Sequence, residues 1–255
     1  MTDTPDLPRP YVIRESSHRI HDPFGADKLA HLGAALRMTP GTRVLDLASG
    51  SGEMVCTWAR DHAIRGTGVD VSSIFTAGAR ARAAELGVED RVTFVHADAA
   101  RHVEEHDAEP VDVASCLGAT WIGGGPLGTV DLLERTLRPG GTVLIGEPFW
   151  IRQPETEEAV RGSHATSIDD FATLPGLVAG FGEHGWDVVQ MVLADPDDWD
   201  TYAAAQWLNL RRWLDENPDD ELWQQFRDEL DAAPLQHVTY TRRYLGWGVF
   251  ALMQR

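Results

Sequence analysis

The chain has 255 residues, 43% of them hydrophobic, which suffices for one α/β domain with a substantial core. Its formal net charge of −18 repels phosphate backbones and so disfavours nucleic acid as a partner. No run approaches the roughly 18 apolar residues of a membrane helix, and the first residues lack the basic start and apolar stretch of a secretory signal, so we expect a cytoplasmic protein without membrane contact.

The first 25 residues are predicted to form an irregular N-terminal arm with one short helix, because prolines recur along it. Residues 26–38 have helical spacing of leucines, and Pro40-Gly41 ends that helix. We therefore expect the main domain to span 26–255.

Short apolar runs then alternate with helical patterns. The runs typical of strands are TRVLDLA (42–48), GTGVDV (66–71), RVTFVHA (91–97), VDVASCL (111–117) and GTVLIGE (141–147). Helical spacing is found at 53–62, 72–86 and 127–137. This alternation predicts a parallel sheet covered by helices on both faces.

The pattern changes after residue 147. We predict a loop with a short helix over 148–174 capped by Ser167 and Asp170, a helix at 175–184, a strand at 186–194, a Trp-rich helical segment at 197–232 and a last strand at 244–253. Five parallel strands and a final pair follow from this order. The segments 148–174 and 197–246 are expected to form helical caps over the carboxyl edge of the sheet, where open α/β sheets bind ligands.

A glycine loop follows the first strand in VLDLASGSGEM (44–54). Gly50 and Gly52 permit a tight turn and let backbone N–H groups approach a ligand. Asp46 within that strand can accept hydrogen bonds from a ligand ammonium, and Asp70 at the end of the second strand can accept both hydroxyls of a ribose. Asp98, after the third strand, can bind an adenine amino group.

Dinucleotide binding is the main alternative for this loop. The fingerprint G-x-G-x-x-G/A needs a small third residue, and this chain has Val55 there. Asp46 beside the loop would repel a pyrophosphate, whereas S-adenosylmethionine (SAM) carries an ammonium and no phosphate. The loop therefore favours SAM.

The chain resembles class I SAM-dependent methyltransferases, in the group that includes ubiquinone- and menaquinone-type and related small-molecule enzymes. The resemblance lies in VLDLASGSGE (44–53), GVDVS (68–72), VTFVHADAA (92–100), VDVASCLGA (111–119) and LRPGGTVLIGEP (137–148). It implies a Rossmann-like seven-stranded sheet with an antiparallel last strand, and SAM as the cofactor with S-adenosylhomocysteine (SAH) as its product. The residues that it implies as cofactor ligands are Asp46, Ala48, Ser49, Gly50, Gly52, Asp70, Val71, Asp98, Ala99, Cys116 and Gly118.

The sequence says less about the residues that contact the methyl acceptor. Methyl transfer from a sulfonium depends mainly on positioning, and it needs a general base only when the acceptor must lose a proton. The candidate catalytic residues are Glu147, His18 and His21. The candidate substrate contacts are Trp121, Trp150, His164, Tyr202 and Arg243, the last two suited to an anionic group. No third ligand joins His18 and His21, and Cys56 and Cys116 lie far apart, so we expect no metal.

Several functions fit these observations. We expect methyl transfer to a small-molecule acceptor, with protein or tRNA methylation and non-catalytic SAM binding as the alternatives. A homodimer is compatible with the sequence.

Overall fold

The computed structural model describes residues 6–105 and 109–255. The strands found there are Arg43–Leu47 (β1), Arg65–Asp70 (β2), Val92–His96 (β3), Val111–Leu117 (β4), Leu137–Trp150 (β5), Trp186–Leu193 (β6) and Leu245–Gln254 (β7). The α-helices are Arg9–Arg14 (α1), Ala26–Ala35 (α2), Glu53–His62 (α3), Ser73–Leu86 (α4), Ala99–Glu105 (α5), Pro126–Glu134 (α6), Glu157–Gly162 (α7), Leu174–Glu183 (α8), Pro196–Glu216 (α9), Trp223–Gln236 (α10) and Arg242–Tyr244 (α11). Short 3-10 helices lie at Thr120–Gly123 and Ile168–Asp170, and a π-helical turn at His237–Thr241 joins α10 to α11.

The strands form one seven-stranded sheet in the order β3-β2-β1-β4-β5-β7-β6. The pairs among β1 to β5 are parallel, while β7 lies antiparallel between β5 and β6. The predicted Rossmann-like sheet with an antiparallel last strand is confirmed. The carboxyl ends of β1, β2 and β4 therefore meet at one edge.

Two apolar layers cover the sheet because successive strand residues point to opposite faces. One layer packs α2, α3 and α4 against the sheet, with Leu32, Val55 and Trp58 fully buried. The other layer packs α6 and α8 through Leu133 and Phe181. Because both faces of the sheet are buried, the polar residues at the carboxyl ends of its strands are held in defined positions.

Three elements differ from the sequence prediction. Strand β5 extends from Leu137 to Trp150, beyond the predicted 141–147, because Leu137 pairs with Val111 of β4 at one end and β7 pairs as far as Trp150 at the other. Helix α5 was not predicted, since AARHVEE has no apolar repeat. The predicted helical segment 197–232 is two helices, broken near Asn217, because a residue before proline disfavours helical geometry.

The N-terminal arm and the paired helices α9 and α10 pack together over the carboxyl edge. Arg9 pairs with Asp220 and Arg14 with Glu229, which ties α1 to this helical pair. Ile13 packs on the buried cluster of Leu210, Leu214 and Phe226. The predicted Ser167–Asp170 capping box is also present. The arm and α9–α10 would therefore cover a ligand that binds at this edge of the sheet.

Candidate active site

The turn between β1 and α3 is held by Asp70 from the neighbouring strand. The Gly50 N–H donates to Asp70 Oδ2 at 2.7 Å, and the Ser72 N–H donates to Asp70 Oδ1 at 2.7 Å. Gly50 has φ +52°, and Ala48 adopts φ +57°, a left-handed conformation that costs a residue with a Cβ about 1–2 kcal/mol. Such strain is typical of ligand-binding turns.

Asp46 lies buried beneath this turn. Ser115 Oγ donates to Asp46 Oδ1 at 2.7 Å. Burial raises the pKa of Asp46 to about 7, Ser115 opposes that shift, and the charge of Asp70 adds to it. A cationic ligand group near Asp46 would therefore favour its ionised form.

A cavity of about 350 Å³ opens above the turn, and we call it the donor cavity. Seven of the residues predicted to bind the cofactor line it: Asp46, Ala48, Ser49, Gly50, Asp70, Val71 and Gly118. Phe75 from α4 adds an apolar wall beside Val71. The cavity thus combines the carboxylates of Asp46 and Asp70 with those of Asp22 and Glu53, a backbone turn and an apolar side.

Four predicted cofactor residues lie outside the donor cavity. Gly52 is the residue that precedes α3, and a Cβ there would clash with Phe94. Asp98 is exposed, and its Oδ1 accepts the Arg101 N–H at 2.9 Å, next to Ala99 at the start of α5. Cys116 is fully buried within the second apolar layer. Asp98 and Ala99 follow β3, the strand beside β2, at the same edge of the sheet.

The N-terminal arm brings His21, one of the candidate catalytic residues, to this cavity together with Asp22. His21 Nε2 lies 2.9 Å from Ser51 Oγ, and the His21 ring packs on Phe75 with centroids 4.2 Å apart. A Cβ on Gly50 would clash with His21, so the glycine is needed for this close approach as well. Asp22 in the same stretch, IHDPF, was not predicted, because an isolated aspartate carries no spacing that marks a ligand.

A buried carboxylate, Glu15, joins the arm to α9. Its side chain accepts hydrogen bonds from Tyr202 Oη at 3.0 Å and from Gln206 Nε2 at 2.6 Å. His21 Nδ1 lies 3.2 Å and His18 Nδ1 3.4 Å from Glu15 Oε2. The two predicted histidines therefore converge on one carboxylate, and His21 connects it to the glycine turn.

A second cavity of about 650 Å³ lies between the arm, the end of β4 and helices α9 and α10, and we call it the cap cavity. It borders the donor cavity. The residues that line both are Tyr11, His21, Asp22, Gly118, Trp121 and Trp247.

The five predicted substrate contacts divide between this cavity and other places. Trp121, His164 and Tyr202 line the cap cavity. Trp150 is buried, and its Nε1–H donates to the Ile168 carbonyl at 2.8 Å. Arg243 is exposed and lies over the Tyr244 ring, 5.2 Å from its centroid.

Glu147 lies behind the site. It is buried and accepts a hydrogen bond from Thr120 Oγ1 at 2.6 Å. Burial raises the pKa of Glu147 to about 7, and the Thr120 hydrogen bond opposes the shift. Glu147 lines neither cavity, although Thr120 begins the short helix that carries Trp121.

Two further features concern the described residues only. None of their helices is long and apolar enough to cross a membrane. Within 6–105 and 109–255, no cluster of three or more His, Cys, Asp or Glu side chains is arranged to hold a metal ion.

Comparison with known proteins agrees with this geometry. Residues 44–141 match the family described as "Methyltransferase domain". A crystal structure described as a SAM-dependent methyltransferase from Geobacter sulfurreducens in complex with S-adenosyl-L-homocysteine is 61% identical, covers 98% of this chain and 99% of that one, and superposes with a TM-score of 0.95.

Two curated relatives extend the comparison. Protein YjhP of Escherichia coli (strain K12) is 58% identical over 98% of this chain and 100% of its own length. The 27-O-demethylrifamycin SV methyltransferase of Amycolatopsis mediterranei is 30% identical over 58% of this chain and 51% of its own length. With the glycine turn, the seven-stranded sheet and the paired aspartates in place, the chain belongs to the class I SAM-dependent methyltransferases.

Proposed function

We propose that this protein transfers the methyl group of SAM to a small-molecule acceptor held in the cap cavity. As a SAM-dependent methyltransferase it uses SAM as donor and releases SAH. The observation that carries the proposal is the direct junction of the two cavities, one shaped for the donor and the other closed by the arm and α9–α10.

The donor cavity fits SAM in size and in polar groups. Its volume of about 350 Å³ lies within the usual range for small ligands. The Asp70 carboxylate would accept the ribose hydroxyls, and Asp46 would attract the ammonium of the methionine part. Val71 and Phe75 would pack against the adenine, and Asp98 with Ala99 would bind its polar edge. SAM supplies an electrophilic methyl group on a sulfonium.

The cap cavity supports a small acceptor. The arm (1–25) and the insertions 148–174 and 197–246 supply most of its lining residues, so an acceptor there would be largely surrounded by protein. In-line displacement depends on positioning, which residues from several segments around the acceptor can supply. The Amycolatopsis relative is named for action on 27-O-demethylrifamycin SV, a small molecule, which favours the same class of acceptor here.

The alternatives fit less well. A tRNA acceptor would meet a chain of net charge −18. A protein acceptor would have to bring its side chain past the arm to reach the donor methyl group. A non-catalytic SAM-binding protein would have no use for a second cavity that shares six residues with the first.

The test is a measurement of SAH formation from SAM. A cell extract is divided by ultrafiltration into small-molecule and macromolecular fractions, and each is incubated with the purified protein. We expect SAH with the small-molecule fraction, and less SAH with Asp70→Ala when SAM is below saturation. SAH from the macromolecular fraction alone would favour protein or tRNA methylation, and SAM binding without SAH in either fraction would favour the non-catalytic alternative.

A further inference from the structure

Asp22 is a carboxylate at the junction of the two cavities. It is half-buried and lines both of them. Its main-chain carbonyl accepts the Phe24 N–H at 2.7 Å, but among the described residues no hydrogen bond or ion pair reaches its side-chain oxygens. A carboxylate without protein partners that faces a ligand cavity is suited to a donor group on the ligand.

The protein surroundings of Asp22 stabilise its negative charge poorly. Burial, together with the nearby carboxylates of Glu15 and Asp46, raises the pKa of Asp22 to about 7. No arginine or lysine of the described chain offsets them through a contact with Asp22. A ligand cation placed beside Asp22 would supply the missing counter-charge.

The remaining charged groups of the cap cavity have partners of their own. Arg14 Nε and Nη2 each lie 2.5 Å from an oxygen of Glu229. His237 Nε2 lies 2.8 Å from Asp200 Oδ1. The pKa of His164 is lowered by burial and by His237, which favours the neutral imidazole. Within the part of the chain that the structure describes, the unpaired charge on this wall is therefore negative.

Aromatic rings form much of the rest of the wall. They are Tyr11, Trp121, Phe171, Trp199, Tyr202, Trp207 and Trp247. The faces of such rings attract ammonium groups through their quadrupoles. An unpaired carboxylate among aromatic rings is the arrangement that an organic cation prefers.

We propose that the methyl acceptor is an amine, bound as its ammonium by Asp22 and methylated on nitrogen. This inference rests on the proposed function. The ammonium gives a proton to the Asp22 carboxylate, and the freed nitrogen lone pair forms a bond to the donor methyl carbon. The carbon–sulfur bond breaks with its electron pair left on sulfur, so the products are neutral SAH, a methylated ammonium and a protonated Asp22.

Other acceptor classes fit this wall poorly. A carboxylate or phosphate acceptor would face Asp22 with Glu15 and Asp46 behind it, and like charges in a poorly solvated site repel strongly. An alkyl alcohol holds its proton too tightly for a carboxylate to remove, whereas an ammonium has acidity close to that of lysine. An amine bound as its ammonium carries the positive charge that suits Asp22 and a proton that a carboxylate can remove.

The test divides the small-molecule fraction on a cation exchanger at pH 3, which retains compounds that carry an amine. Each part is incubated with the protein and SAM, and SAH and the mass of any methylated product are measured. We expect SAH with the retained part and fragments that place the methyl on nitrogen. SAH only with the unretained part, or a methyl on oxygen, sulfur or carbon, would overturn the amine assignment while leaving methyl transfer intact. SAH with neither part would refute the proposed function itself.

A separate variant tests the role of Asp22. We expect Asp22→Asn to lower kcat/KM for the retained part by at least about 100-fold, as loss of a positioned proton acceptor does, with SAH affinity by calorimetry within about threefold of wild type. The matched control is Asp187→Asn, because Asp187 is exposed, pairs with Arg255 and lines neither cavity, so turnover should be unchanged. Normal turnover by Asp22→Asn would overturn the role of Asp22. Should that variant fail to fold, the position of the methyl in the wild-type product still decides whether the acceptor is an amine.

Discussion

The carboxylate of Asp22 occupies the space beside Gly118 where any other residue would place its Cβ. Gly118 directly follows β4 with φ +73°, and its N–H donates to the Gly146 carbonyl at 3.0 Å. The arm can therefore bring a carboxylate against the sheet edge only because residue 118 has no side chain. This single contact joins the arm, the donor cavity and the cap cavity.

Gly118→Ala should lower both stability and turnover. Alanine at a left-handed position costs about 1–2 kcal/mol, and the added methyl would also displace Asp22. The matched control is Gly140→Ala, because Gly140 has φ +75° but open space around its Cβ position. Denaturant unfolding should show a similar loss in both variants or a larger one for Gly118→Ala, while SAH formation should fall only for Gly118→Ala. Equal turnover in the two variants would contradict the proposed contact.

Asp70 should contribute more to cofactor affinity than Asp98. Asp70 lines the donor cavity and holds the Gly50 N–H, so Asp70→Ala should weaken SAH binding by about 1–3 kcal/mol. Asp98 is exposed and already accepts the Arg101 N–H, so Asp98→Ala should cost about 1 kcal/mol or less. Isothermal titration calorimetry with SAH measures both. Equal affinity in wild type and Asp70→Ala would refute the assigned ribose site.

The fold was accessible from sequence because its signals are local. Alternation of apolar runs with helical patterns predicts the parallel strands, and Pro139-Gly140-Gly141 predicts the end of the helix that precedes the fifth strand. The extent of β5 was missed because its last residues are ordered by pairing with β7, about a hundred residues later. Helix α5 was missed because seven mostly polar residues give no periodic signal.

Trp121 should affect the acceptor and not the fold. Its side chain is 72% exposed, yet it lines both cavities. Trp121→Ala should raise the apparent KM for the acceptor about 2- to 5-fold, the size of an exposed cation–π contact, and change the free energy of unfolding by less than about 0.5 kcal/mol. Trp121→Phe should retain most of the affinity. The control is Val189→Ala, which shortens another exposed apolar side chain, in β6. An unchanged KM in Trp121→Ala would remove this residue from the acceptor wall.

Glu147 should make stability depend on pH. Its pKa rises from 4.5 to about 7 on folding, so between those values the folded protein holds a proton that the unfolded chain has lost. The free energy of unfolding should therefore fall as pH rises through that window. Gln at 147 has no proton to lose, so unfolding of Glu147→Gln at pH 5 and pH 8 should show a pH difference smaller by up to about 3 kcal/mol. Parallel pH profiles for the two proteins would contradict the buried carboxyl.

The candidate site was only partly accessible from sequence. The glycine turn, Asp46 and Asp70 follow from their places at strand ends, and they line one cavity. Asp22 and Glu15 could not be placed, because their positions depend on how the arm packs against α9 and Gly118. Trp150 and Arg243 have chemistry suited to a ligand, but tertiary packing directs one into the interior and the other to the surface.

The most direct test of the account is a crystal structure of this protein with SAH. We predict SAH in the donor cavity, with its ribose hydroxyls on Asp70 and its sulfur directed towards the junction between Asp22 and Gly118. SAH bound away from Asp70, or with its sulfur turned from the cap cavity, would contradict the proposed path of the methyl group.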